Sequence, residues 1–121
     1  MRCTIGEINI VCSDLHRSLK FYLDVLGFEA IEQEGPAYHL RCDGVRFLLL
    51  AVAHDAKNPP AYCAMPEFSV DLMVDDLEEA YAHLRSHQVT FVTEWEPNRD
   101  RFFIRDPDGL VFEVIQRSRS N

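Results

Sequence analysis

The sequence predicts an α+β fold in which one strand–helix–three-strand module occurs twice in tandem. Three observations carry that prediction. The apolar period switches from two to helical spacing and back, and it does so twice. Asp-Leu helix starts fall at Asp14-Leu15 and Asp76-Leu77, 62 residues apart. Asp-Gly turns fall at Asp43-Gly44 and Asp108-Gly109, 65 apart, so three residues are gained somewhere in the middle strands.

The first strand is set by Ile8, Ile10 and Cys12, which alternate with Glu7, Asn9 and Val11. Asp14 then stands as an N-cap. Leu15, Leu19, Tyr22 and Leu26 recur at helical spacing up to Gly27, a C-cap residue, so a helix is predicted over Asp14–Leu26. Strand patterning fills Phe28 to Val52, broken at Gly35-Pro36 and at the Asp43-Gly44 hairpin. Ala53 to Pro66 carries Lys57-Asn58-Pro59-Pro60 without periodicity and reads as a linker. The order then repeats. Val70, Leu72 and Val74 alternate with Ser69, Asp71 and Met73. A helix is predicted over Asp76–Gln88, with Glu79 completing a capping-box-like pair. Three strands follow near Thr90–Glu94, Arg101–Arg105 and Leu110–Gln116, the last two joined by Asp106-Pro107-Asp108-Gly109. The reading is one domain over residues 1–121: module one at about 5–52, a linker at 53–66, module two at about 67–116, and a polar tail from Arg117.

Composition narrows the partners. Lys and Arg number 12 against 20 Asp and Glu, a formal net charge of -8, which repels phosphate backbones and anionic membranes. No apolar run reaches the length of a membrane span and no secretory signal is visible, so a cytoplasmic protein is expected. None of the cysteines at 3, 12, 42 and 63 forms a C-x-x-C pair, so they are expected as free thiols. Signatures of nucleotide-binding glycine loops and serine or cysteine nucleophiles are absent.

A single helix per module covers one sheet face only. Ile8, Ile10, Phe47, Leu49, Val70, Leu72, Phe112 and Val114 belong to the covered face. The other face carries Glu7, Asn9, Val11, Arg46, Leu48, Leu50, Ser69, Asp71, Met73, Val111, Glu113 and Ile115. That set is too apolar for a plain water-facing surface and too polar for a core. It suits a ligand site with apolar walls and a few placed polar groups; a dimer-contact face is the competing reading.

The run from Glu7 through Asp14-Leu15, Phe21-Tyr22 and Leu26-Gly27-Phe28 resembles the opening module of the vicinal oxygen chelate superfamily, which groups glyoxalases, bleomycin-resistance proteins and extradiol dioxygenases. Phe102 to Glu113, with its Asp106-Pro107-Asp108-Gly109 turn, resembles the closing signature. The resemblance implies paired βαβββ modules whose mixed sheets form an open cup, and a homodimer. In metal-dependent members it implies one divalent ion held by His and Glu from the first and last strands of each module. Carried onto this chain, those positions are Glu7, Leu48, Ser69 and Glu113, and the repeat offsets select the same four. Leu48 is no ligand, Ser69 is a poor one, and two carboxylates give weak binding of a hard cation at best. No cofactor is therefore expected, with weak divalent metal at Glu7 and Glu113 the exception.

The leading expectation is a small-molecule binder of the drug-resistance or sequestration kind without a tightly held metal. Its candidate ligand-binding residues are Asn9, His39, Arg46, Leu48, Leu50, Ser69, Asp71, Met73 and Val111. The alternative is an enzyme of the same superfamily, a lyase, isomerase or dioxygenase type using Glu113 with Glu7 or Asp71 as base or atypical metal site. His39 alternates with Ala37 and Arg41 along its strand, which makes it a candidate contact. Arg46, turned inward, attracts an anionic ligand or neutralises Glu113; otherwise it is a hairpin-edge charge. Two carboxylates in a partly apolar site need compensation, and either an inward Arg46 or a carboxylate kept protonated near neutral pH is expected to supply it, ahead of a loosely held cation. His83 and His87 lack an obvious third ligand and read as solvated helix-flank residues. Trp95, Phe91 and Phe103 are core residues or ligand-stacking ones.

Overall fold

The computed structural model describes residues 1–54 and 59–118, so the Lys57-Asn58 part of the expected linker and the end of the expected tail lie outside the described residues. The chain divides into two compact units, Met1–Ala56 and Lys57–Asn121. The first contains β1 (Ile8–Cys12), α1 (Leu15–Lys20) continued by a π-helical turn (Phe21–Val25), β2 (Glu29–Glu34), β3 (Ala37–Cys42) and β4 (Val45–Ala51). The second contains β5 (Val70–Val74), α2 (Leu77–Ser86), β6 (Thr90–Phe91), β7 (Arg101–Arg105) and β8 (Val111–Gln116).

Each unit holds one four-stranded mixed sheet, ordered β1-β4-β3-β2 and β5-β8-β7-β6. The first strand runs parallel to the last, with Ile8 opposite Phe47 in one unit and Val70 opposite Phe112 in the other. Both offsets read from the sequence, 62 and 65, are thereby realised as one register used twice. The fold is α+β, and neither sheet closes into a barrel.

The period-two patterning holds on most of the covered faces, with Ile8, Val70 and Leu72 only half-buried. Ile10, Cys12, Leu40, Phe47 and Leu49 are buried in the first unit; Phe102, Ile104, Phe112 and Val114 are buried in the second. Each helix starts on the side chain the sequence selects. Asp14 accepts from the Arg17 amide at 2.9 Å and Asp76 from the Glu79 amide at 3.1 Å, each satisfying an orphan donor of the first turn.

Three local expectations are revised. The first helix does not stay α-helical to Leu26, since Phe21–Val25 widens into a π turn before Gly27, at φ 78, reverses the chain. The second strand of the second module keeps only Thr90–Phe91 of the expected Thr90–Glu94. There the chain leaves the sheet so that Trp95 and Phe91 can pack on Tyr81 and Phe102, with ring centroids 5.0–5.8 Å apart. Those two aromatics are half-buried in this ring cluster. The extra residues of the second unit also fall at two places. Leu40 and Ile104 are 64 apart, and the further residue enters the Asp106–Gly109 turn, which is longer than the Asp43-Gly44 hairpin.

Candidate functional site

Strand pairing defines the helix-free face of each sheet. In the first unit Asn9 lies opposite Leu48, Val11 opposite Leu50, and His39 opposite Leu48, all displaced by one residue from the buried Phe47 and Leu49. In the second unit Asp71 and Phe103 both lie opposite Glu113, and Met73 lies opposite Ile115. Leu48 and Leu50 are half-buried, while Asn9, Ser69, Asp71 and Met73 are exposed. Val111, expected as a ligand contact, is buried, and so is its face neighbour Ile115.

The first unit gathers a charged cluster around Glu7. His39 Nδ1 lies 2.7 Å from Glu7 Oε2, and His39 Nε2 lies 2.7 Å from Glu34 Oε2. A neutral imidazole carries one N–H and would point a lone pair at the other carboxylate, so this geometry calls for the imidazolium. The hydrogen bonds from Glu34 and Glu7 accordingly raise the His39 pKa above its usual value, against a smaller opposing effect of burial. Arg46 Nε stands 3.7 Å from the same Glu7 oxygen. Arg46, itself exposed, thus stands near Glu7 and not Glu113. Strand order had hidden the imidazole: Glu7 and His39 are 32 residues apart, and β4 brings them together.

The second unit solves the same problem differently. The Tyr62 hydroxyl donates to Glu113 Oε1 at 3.1 Å and lies 3.2 Å from the Ser69 hydroxyl, so Ser69 donates to Tyr62. The Ser69 bond pulls the Tyr62 pKa down, but burial and the Glu113 carboxylate together outweigh it and raise the pKa. Arg101 Nη1 approaches Glu113 Oε2 at 3.6 Å. Sequence reading missed both residues. Tyr62 lay in a stretch without periodicity, and Arg101 was one strand arginine among several. The usable signal was the need of Glu113 for donors. Arg105 is occupied elsewhere, donating to the carbonyls of Gly109 at 2.7 Å and Pro60 at 3.3 Å.

His83 and His87 stack on one another, with ring centroids 4.7 Å apart. The cysteines are free thiols, and burial together with the Asp43 and Glu29 charges pushes the Cys42 thiol up.

With this geometry in hand, comparison with known proteins gives the class. The chain belongs to the glyoxalase/bleomycin resistance protein/dioxygenase superfamily, whose family model matches residues 4–114. It is 30% identical to a catechol-2,3-dioxygenase of Bacillus subtilis (strain 168), covering 96% of this chain but only 42% of that protein. It is 27% identical to a bleomycin resistance protein of Geobacillus stearothermophilus, covering 88% of this chain and 92% of that one. Among solved structures, a fosfomycin resistance protein from Listeria monocytogenes complexed with Mn(II) superposes with a TM-score of 0.77 at 14% identity, covering 98% of this chain and 93% of that one.

A divalent ion of the kind some members hold does not fit the residues present. Of the four strand positions, Leu48 has no donor atom and the Ser69 hydroxyl is engaged by Tyr62. Glu7 and Glu113 already face protein cations and donors. Both His39 nitrogens are used. Among the described residues, no group of three or more His, Cys, Asp or Glu side chains is arranged to hold a metal ion.

Proposed function

We propose that this protein binds a small organic molecule on its helix-free sheet faces without a tightly held metal, in the manner of drug-resistance or sequestration proteins. One observation carries the reading: Glu7 and Glu113 are both engaged by the chain's own donors and cations, where a metal site would leave them free to ligate. In the first unit, half-buried Leu48 and Leu50 offer apolar contact on the same face as His39 and Asn9. The net charge of -8 favours a cationic ligand over an anionic one. Homology to a bleomycin resistance protein over most of both chains supports the same class. On this reading the protein works as a cytoplasmic homodimer, to be checked by light scattering at micromolar concentration.

Calorimetric titration tests the reading, using Mn, Ni and Zn salts and, separately, metal-free bleomycin. The expected result is no stoichiometric metal binding and measurable uptake of the drug. Tight metal binding that disappears in Glu113→Gln would instead favour the enzyme reading, with Glu113 and Glu7 or Asp71 as base or ligands.

A further inference from the structure

Tyr62 reaches the site in an unusual way. The Ala64 amide bonds the Ala61 carbonyl at 3.0 Å, which closes a four-residue turn with Tyr62 and Cys63 at its centre. Cys63 sits at φ 70, the left-handed conformation that such a turn normally reserves for glycine. The stretch before it is held to the sheet by Arg105, through the Pro60 carbonyl. Pro59 lies against Gly109 so closely that a Cβ there would come within 2.7 Å of its ring. The Tyr62 ring rests on Phe103, with centroids 5.4 Å apart, and its hydroxyl ends on Glu113. Phe103 and Glu113 are paired residues of the helix-free face. Tyr62 thus covers both the aromatic and the acidic group of that face at once.

We propose that Tyr62 is a displaceable cap that determines which ligands reach Glu113: an organic cation carrying an ammonium or guanidinium next to an aromatic or planar group. The inference rests on the ligand reading above. A phenol O–H to a carboxylate is a hydrogen bond with one charged partner, whereas an ammonium to a carboxylate has two and gains Coulomb energy as well. A cation therefore displaces the phenol, and a neutral alcohol, which can only replace one hydroxyl with another, does not. The ligand's planar part takes the Phe103 face that the tyrosine ring vacates. Arg101, hydrogen-bonded to Asp100 at 3.2 Å, stands 3.6 Å from Glu113 Oε2, so the incoming cation takes the Oε1 side that the phenol leaves.

The test is an NMR-detected titration with phenethylammonium and its neutral analogue 2-phenylethanol. The wild type should bind the cation and discriminate against the alcohol. Tyr62→Phe keeps the ring on Phe103 and removes only the competing hydroxyl, so it should bind the cation roughly tenfold more tightly. Ser69→Ala, which loosens the phenol without touching Glu113, should move affinity the same way by less. Glu113→Gln should abolish the preference for the cation. Cation binding that depends on Glu113 but is unchanged or weaker in Tyr62→Phe overturns the cap and leaves the ligand reading standing. Binding that ignores Glu113 in every variant, or no binding at all, overturns the cap, and the drug titration then decides the ligand reading separately.

Discussion

The two halves of this chain share a strand register and differ in how they balance a carboxylate on the helix-free face. The first unit places its acid before β1, at Glu7, and surrounds it with an imidazolium and a guanidinium. The second places its acid on β8, at Glu113, and surrounds it with a phenol and a guanidinium. Glu7 corresponds to Ser69 in the repeat, and Leu48 to Glu113, so the acid has changed strands between the halves. The repeat preserves the backbone frame that holds an acid. The partners, which set whether the acid's environment responds to pH, are free to differ.

The largest difference between the halves should appear at their hairpins. Buried Asp106 accepts from the amides of Asp108 and Leu110, both at 2.9 Å. Asp106→Ala strands both donors and should cost about 3 kcal/mol in urea unfolding. Asp43 only supplies a residue tolerant of φ 49 in a two-residue turn, so Asp43→Ala should cost about 1 kcal/mol. Equal losses would mean that the two turns are interchangeable.

The helix starts should behave alike. Asp14→Ala and Asp76→Ala each remove one side-chain acceptor at the N-cap, and each should cost about 1 kcal/mol by the same measurement. A large gap between them would show that the equivalence of the repeat ends at the sheet.

A smaller and more selective effect separates the clusters by pH. His39 binds its proton more tightly folded than unfolded. Its contribution to stability is therefore complete below its unfolded pKa of about 6.5 and is lost as pH rises through the higher folded value. The urea midpoint should fall over that window in the wild type and lose this part of its slope in His39→Gln. Tyr62→Phe should leave the slope unchanged, because the phenol keeps its proton well past neutrality. A slope that survives His39→Gln would assign the pH response to other groups.

How much of this was legible in sequence depends on the kind of interaction. Strand faces, caps and turns follow from local period and from residues such as Asp14, Asp76 and Gly27, so they could be read directly. Glu7, Ser69 and Glu113 followed from the repeat. Their partners did not, because the meeting of His39 with Glu7, or of Tyr62 with Glu113, is decided by strand order and by a turn in an aperiodic stretch. Side-chain chemistry alone favoured Arg46 as the counter-charge for Glu113, and register gave that role to Arg101.

The π turn at Phe21–Val25 has a consequence for the history of the chain. Gly27 and Gln88 both end their helices in the left-handed conformation, 61 residues apart, whereas Tyr22 and Leu84 inside those helices are 62 apart. The closing hydrogen bonds differ by the same single residue: the Val89 amide reaches back five positions to the Leu84 carbonyl, and the Phe28 amide reaches back six to Tyr22. The two helices therefore differ in length by one amino acid. A widened turn absorbs that residue locally. Had it passed into the following strands as a register slip, every side chain there would have changed faces. A helix placed between paired strands thus acts as a buffer against insertions and deletions, so the sheet can keep its inward and outward residues while the chain length drifts.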